Sequence, residues 1–228
     1  MAKESEKTWN LWSEQEKDLI RNGHGIDIGC GNSPIHPSCR KFDLEDGDAN
    51  EIGEYVHEQF DYVFSSHCLE HMKDPFHALH EWWKLVRPGG VMIVIVPDED
   101  LYEQGVFPSQ FNSDHKWTFT ISKRKSWSPR SVNVLDLVKS LPDAAAADVE
   151  LQDDGYDRSL LCFRKLNFIN RCFRSLKYRF FCRCNIQKRF PVFGAWCARQ
   201  LSHFTSLDQT LTGAMAQIQM TVYKAKHT

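Results

Sequence analysis

The segment Asp27-Ile28-Gly29-Cys30-Gly31-Asn32 decides the fold of this 228-residue chain. It is a glycine-containing turn directly after a short predicted strand. Glycines at positions 29 and 31 let the backbone turn sharply and approach a ligand closely. A dinucleotide fingerprint has a third glycine three residues later, at the start of a helix that holds pyrophosphate. Position 34 is instead Pro34, and only eight residues separate Gly31 from Arg40. The loop therefore favours a cofactor without phosphate.

Strand and helix patterns alternate on both sides of this loop. Strands are predicted at 24–27, 41–43, 61–65, 91–96, 147–151 and 214–223, and helices at 5–22, 75–86 and 131–141. The strand at 91–96 is apolar on both faces, which is typical of a central parallel strand covered by helices on both sides. The alternation indicates an α/β fold with a mostly parallel sheet.

The net charge of −2 is the sum of two unlike parts. Residues 158–207 contain 11 Lys and Arg and no Asp or Glu, which leaves 17 basic and 30 acidic residues elsewhere. Apolar residues recur at helical spacing between 166 and 180, so we expect a basic amphipathic helical insertion over 158–207, before the last strand. One interpretation is a helix packed on the domain with a solvated basic face. The other is a surface for acidic lipid headgroups or a phosphorylated or lipid-linked sugar, with nucleic acid ranked below these because no RNA-binding module accompanies it.

Composition and targeting signals narrow the class of protein. A hydrophobic fraction of 42% excludes global disorder. The polar N-terminus and the shortness of the aliphatic run at 91–96 predict a cytoplasmic protein, with membrane contact only at its surface. The eight cysteines are expected to be thiols, and Cys182-x-Cys184 is too short for a zinc knuckle, so no metal site is predicted.

S-adenosylmethionine (SAM) is a cofactor without phosphate, and two acidic positions suit it. Asp43, at the end of the second predicted strand, is placed to accept hydrogen bonds from ribose hydroxyls. Asp48 is placed to accept from the adenine amine, and Ala49 to pack against the adenine ring.

An ordered series of motifs follows the glycine loop: Asp43, Asp48-Ala49, FDYVFSSHCLEH at 60–71 and RPGG at 87–90. This series resembles the class I SAM-dependent methyltransferases, in particular the type 11 group, over residues 24–97 and more loosely over 214–224. The resemblance implies a Rossmann-like, seven-stranded, mostly parallel sheet with helices on both faces and an antiparallel last strand. It also implies SAM at the carboxyl ends of the first strands. The shortened segment after Gly31 departs from the family pattern.

The resemblance assigns a part of the cofactor to each matching position. Asp27, Gly29 and Gly31 would line the methionine end. Asp43 would hold the ribose, and Asp48 the adenine. Ser66 and His67 would lie beside the sulfonium.

The loop region 98–130 is predicted to lie on the substrate side, because it follows the strand at 91–96. Methyl transfer is an in-line displacement in which a base removes the acceptor's proton. His115 is the first candidate for that base, with Asp114 orienting it or balancing its charge. His67 is the second candidate, with shaping of the cofactor pocket as its alternative role.

The sequence thus predicts a single SAM-methyltransferase domain over 1–228 that methylates a hydroxyl or amine of a small molecule or saccharide. Residues 97–119 resemble bacterial type 11 proteins found with enzymes of sugar and cell-surface glycan metabolism. Two alternatives stay open: an RNA or protein methyltransferase that uses the basic insertion, and a non-catalytic interaction module of the same fold.

Overall fold

The computed structural model describes residues 4–121, 123, 125–161, 189–202 and 206–226. The α-helices in this part of the chain are α1 (Glu4–Leu11), α2 (Glu14–Asn22), α3 (Pro75–Lys84), α4 (Val134–Ser140) and α5 (Pro191–Ser202). The strands are β1 (Gly25–Ile28), β2 (Arg40–Phe42), β3 (Phe60–Ser66), β4 (Val86–Pro97), β5 (Thr118–Thr120), β6 (Ser131–Asn133), β7 (Ala144–Gln152) and β8 (Gln217–Lys224).

Six of these strands form one sheet, in the order β2-β1-β3-β4-β8-β7. Neighbours from β2 to β4 are parallel, whereas β8 runs antiparallel to both β4 and β7. The predicted mostly parallel α/β sheet with an antiparallel last strand is therefore confirmed. Across the described ranges the main sheet has six strands rather than seven, and β5 and β6 form a separate parallel pair.

Helices cover both faces of this sheet, and β4 shows why. Met92, Val94 and Val96 pack into a core cluster that contains side chains of α3 and α4. The alternate residues of β4, Val91 to Ile95, pack against Trp12 and Ile20 on the other face. A strand with both faces buried needs an apolar residue at every position, as the sequence predicted.

The helix predicted over 5–22 is in fact two helices. Ser13 caps α2: its hydroxyl accepts from the Glu16 N–H, and the Glu16 carboxylate accepts from the Ser13 N–H at 2.7 Å. This reciprocal capping box satisfies backbone donors at a helix start and so begins a second helix where one continuous helix was expected.

The helix predicted over 131–141 starts three residues later. Residues 131–133 pair with β5, and the Asn133 side chain then accepts from the Leu135 N–H as the N-cap of α4. The helix predicted over 75–86 starts as expected, since Asp74 caps α3 and Pro75 occupies its first turn, but it ends at Lys84 and β4 begins at Val86.

Most of the predicted basic insertion lies outside the described residues, which include from it a short 3₁₀ turn (Arg158–Leu160), α5 and residues 206–207. Among the helices described, none combines the length and the apolar character that crossing a membrane requires.

Candidate active site

The glycine loop follows the carboxyl end of β1 and lies beside the carboxyl end of the parallel strand β2. Gly29 and Gly31 have φ angles of +78° and +53°, a region that side chains other than glycine rarely adopt. The Gly29 N–H donates to the Phe42 carbonyl at 2.8 Å, and the Gly31 N–H donates to the Asp43 carboxylate at 2.5 Å. The loop is thus fixed onto the end of β2 with Asp43 beside it.

Asp27 lies beneath this loop and is almost fully buried. Its carboxylate accepts from the Ile35 N–H at 2.6 Å, so it anchors the segment that follows the glycines. Burial raises the pKa of Asp27 to about 7, and the nearby charge of Asp43 adds to the shift. The structure therefore gives Asp27 a clear role in shaping the loop.

Asp48 and Ala49 begin a 3₁₀ turn (Ala49–Glu54) after β2. The Asp48 carboxylate accepts from the Lys73 ammonium at 2.8 Å and from the backbone and side chain of Asn50. These hydrogen bonds, that from Lys73 first, hold the pKa of Asp48 well below its usual range. The Ala49 carbonyl accepts from the Trp82 indole, which ties the turn to α3.

Ser66 and His67 end β3 at the same edge of the sheet. The Ser66 hydroxyl is buried and has no hydrogen-bond partner among the described residues. His67 has a φ of +55°, an uncommon value for a residue with a side chain, and its N–H donates to the Ile95 carbonyl. Such outliers cluster at functional sites.

His67 contacts two polar side chains. Its Nδ1 lies 3.3 Å from a carboxylate oxygen of Glu70, and its Nε2 lies 3.1 Å from the Gln217 side-chain oxygen. About a quarter of the His67 side chain is exposed, whereas the Glu70 side chain is fully buried. Burial opposes ionisation of Glu70, but contact with His67 and the charges of His115 and His71 outweigh it and lower the pKa of Glu70.

A chain of buried side chains continues from His67 across the sheet to the N-terminal region. Gln217 donates to Gln152, and Gln152 donates to Gln219. The Trp12 indole donates to the same Gln219 oxygen at 2.9 Å. An indole N–H can only donate, so it fixes the orientation of the amides that follow.

His115 is buried between two carboxylates. Its Nδ1 lies 2.7 Å from Glu103, and its Nε2 lies 3.9 Å from Glu70. The carboxylate that orients His115 is Glu103, in the position that the sequence reasoning gave to Asp114. Asp114 is largely exposed and lies 3.0 Å from the His71 Nδ1.

Sequence reasoning missed four functional candidates here: Glu70, Glu103, Gln152 and Gln217. Glu70 lies in the short 3₁₀ turn after β3, where its position in the sequence gives no sign of its contacts with two histidines. The only signal for Glu103 is a carboxylate 12 residues before a histidine, and such a spacing is too common to decide anything.

The residues at the glycine loop fit SAM in two respects. A Cβ built on Gly31 would meet no atom within 4 Å, so there is open room beside the loop backbone. Asp43 is partly exposed, and each of its oxygens accepts only one described hydrogen bond, from Gly31 and from Leu44. A carboxylate offers about four acceptor positions, which leaves capacity for a ribose diol.

A cleft of about 310 Å³ lies at the opposite edge of the sheet, lined in part by Asp61, Arg87 and Gly90. None of the predicted site residues lines it. Parallel sheets of this kind bind ligands at the carboxyl ends of their strands, so the glycine-loop edge is the better candidate.

One family model matches part of this chain. Residues 32–94 match the family model described as a methyltransferase domain, Methyltransf_11. No curated protein matches the sequence.

The solved structures that are similar to this chain are distant from it in sequence. A Haemonchus contortus phosphoethanolamine N-methyltransferase 2 in complex with SAM is 16% identical with a TM-score of 0.49, over 93% of this chain and 53% of that one. The plantazolicin methyltransferase is 13% identical with a TM-score of 0.47, over 98% of this chain and 86% of that one. A SAM-dependent methyltransferase from Archaeoglobus fulgidus is 14% identical with a TM-score of 0.48, over 92% of this chain and 90% of that one.

The chain thus spans about half the length of the nematode enzyme. Its matched segment contains the end of the glycine loop, Asp43, Asp48 and all of β3. Residues 32–94 of this chain are therefore similar to the methyltransferase domain that this family model describes.

Proposed function

We propose that this protein transfers a methyl group from SAM to a hydroxyl or amine of a small molecule or saccharide, including phosphorylated and lipid-linked forms. The observation that carries the proposal is the hydrogen bond between the Gly31 N–H and the Asp43 carboxylate. It joins the open glycine loop to the acceptor group that a ribose needs, at the ligand-binding edge of the sheet.

In this proposal each part of SAM has its own contacts. Gly29 and Gly31 approach the methionine end, and Asp43 accepts from the ribose hydroxyls. Asp48 accepts from the adenine amine through carboxylate lone pairs that its hydrogen bonds from Lys73 and Asn50 do not use. The buried hydroxyl of Ser66 lies beside the sulfonium.

His67 is our candidate for the group that contacts the acceptor, in preference to His115. His67 is partly exposed at the end of β3, whereas only 4% of the His115 side chain is exposed and both of its ring nitrogens face carboxylates. Glu70 stabilises a positive charge on His67, which favours uptake of the acceptor's proton. In this proposal His115 is a positioning residue, which acts on His67 through Glu70.

Calorimetry with SAM and S-adenosylhomocysteine tests the proposed cofactor site. We expect both to bind the native protein and to bind Asp43→Asn at least tenfold more weakly, since the neutral amide is a poorer acceptor. Glu45→Gln is the matched control, because Glu45 is an exposed acid two residues away. Absence of binding to the native protein, or equal binding by Asp43→Asn, contradicts the proposal.

Release of S-adenosylhomocysteine, measured over a panel of amino sugars, sugar phosphates and small amines, tests the reaction. His67→Gln should lower kcat at unchanged SAM affinity. His77→Gln should change neither, because His77 pairs with Glu51 at the exposed start of α3. A kcat of His67→Gln within twofold of native would remove His67 from the acceptor side.

We also propose that the protein is cytoplasmic and contacts membrane surfaces through residues 158–207. The support lies in the described part of this segment, where Phe190, Val192, Phe193 and Trp196 are exposed beside Arg189. Apolar and basic side chains on one surface suit an anionic bilayer. Flotation with phosphatidylglycerol vesicles but not with phosphatidylcholine vesicles is the expected result; no flotation with either contradicts it.

A further inference from the structure

We propose that Glu70, His71 and His115 bind a divalent transition-metal ion. One ligand atom from each of these side chains lies within 4.8 Å of the other two. Two imidazoles and one carboxylate form a donor set that suits Zn²⁺, Fe²⁺ or Mn²⁺ better than Ca²⁺ or Mg²⁺, which prefer oxygen.

The first argument is the state of the Glu70 carboxylate. It is fully buried, and among the described residues neither of its oxygens accepts a hydrogen bond of good geometry, although the His67 Nδ1 lies 3.3 Å from one of them. Glu99, which is equally buried, accepts from four side chains: Thr118, Lys123, Ser126 and Ser131. Burial of a carboxylate with so few donors is unfavourable, and a bound cation would offset that cost.

The second argument is a distance. The His115 Nε2 lies 3.9 Å from the nearest Glu70 oxygen, which is too long for a hydrogen bond. Two ligands at 2.0–2.2 Å from one tetrahedral ion are separated by about 3.5 Å. A shift of a few tenths of an ångström in either side chain would therefore bring both into coordination.

The third argument is the group behind His115. The Glu103 carboxylate, also fully buried, lies 2.7 Å from the His115 Nδ1. A carboxylate accepts, so the His115 Nδ1 carries a proton, and Nε2 is the ring nitrogen that faces Glu70 and would bind an ion. Metal-bound histidines are oriented by carboxylates in this way. Two carboxylates and one divalent ion also leave this buried region without net charge.

The backbone holds the two parts of the site together. The N–H groups of Lys116 and Trp117 both donate to the Glu70 carbonyl, at 2.9 and 3.3 Å. The loop that carries His115 is thus fixed onto the turn that carries Glu70. A site held by such bonds keeps its geometry without the ion.

A role for the ion follows if the proposed function holds. Three protein ligands leave at least one coordination position for water or an acceptor oxygen. The site adjoins His67, whose ring contacts Glu70. A metal ion there would lower the pKa of a coordinated acceptor hydroxyl and so favour its methylation.

Titration with Co²⁺, a spectroscopic substitute for Zn²⁺, tests the site. We expect saturable visible absorption at one equivalent in the native protein, and affinity at least tenfold lower in Glu70→Gln and in His71→Asn. Glu103→Gln should weaken binding by roughly 10- to 100-fold, as for other outer-shell groups. His77→Asn, which alters an exposed histidine of α3, should bind as the native protein does.

His71 is partly exposed, so His71→Asn should keep the native circular dichroism spectrum and remain a valid variant. The proposal is overturned if the native protein gives no saturable Co²⁺ absorption, or if Glu70→Gln and His71→Asn bind as tightly as His77→Asn. SAM calorimetry on the same samples keeps the two proposals separate. If the native protein binds SAM but not Co²⁺, the metal site alone is overturned. If it binds Co²⁺ but not SAM, the proposed function alone is overturned.

Discussion

Replacement of Asp27 by Asn should change how the stability of the protein depends on pH. Burial raises the pKa of Asp27 from 3.8 to about 7. Between these values the folded state binds more protons at this site than the unfolded state does. The free energy of unfolding therefore falls as pH rises from about 4 to 7 and levels off above that range.

The size of the effect follows from the shift. A pKa difference of about three units corresponds to roughly 4 kcal/mol at 1.36 kcal/mol per unit. Roughly 2–3 kcal/mol of this is lost between pH 5 and pH 8, because part of it has already been lost below pH 5. Asp27→Asn carries no charge at any of these values, while its side-chain carbonyl can still accept from the Ile35 N–H.

Urea unfolding of native protein and Asp27→Asn at pH 5, 6, 7 and 8 measures the effect. The native free energy of unfolding should fall by roughly 2–3 kcal/mol relative to the variant across this range. Glu45→Gln, at an exposed position, should track the native protein. A difference between native and Asp27→Asn that stays constant within about 0.5 kcal/mol would refute the reasoning.

Four further substitutions test loop geometry and buried hydrogen bonds. Gly29→Ala should lower the free energy of unfolding by about 2–3 kcal/mol, because its φ is +78° and its Cβ would lie 2.6 Å from Cys68. Gly31→Ala should cost only about 1 kcal/mol, since no atom lies within 4 Å, yet it should weaken SAM binding by filling the open room; equal stability losses in urea unfolding would contradict this contrast. Glu99→Ala should cost about 3 kcal/mol, because four donors lose their acceptor, and a loss below 1 kcal/mol by the same assay would count against it. Trp12→Phe should cost about 1 kcal/mol by removing the hydrogen bond to Gln219, and native stability in that variant would contradict the amide chain.

The main sheet could be predicted from the sequence because its signals are local. β4 is apolar at successive positions, so a strand buried on both faces is the direct interpretation. Two other signals are also local. The pair Gly29 and Gly31 marks the turn after β1, and Asp74 before Pro75 marks the start of α3. The break before α2 was also predictable, since Ser13 and Glu16 form a capping box three residues apart.

The side-chain network of the candidate site could not be predicted in the same way. The contact between His67 and Gln217 joins residues 150 positions apart, and it exists only because β8 returns beside β4. The pairing of His115 with Glu103 depends on the path of the loop after β4, which no periodicity describes. Sequence proximity favoured Asp114 instead, whose side chain points to His71.

A crystal structure with S-adenosylhomocysteine tests the central claim most directly. We predict ligand density at the carboxyl edge of the sheet, with the ribose against Asp43 and the amino-acid end along Gly29 and Gly31. Ligand density in the opposite cleft beside Asp61 and Arg87, or an absence of ligand at saturating concentration, would contradict the account.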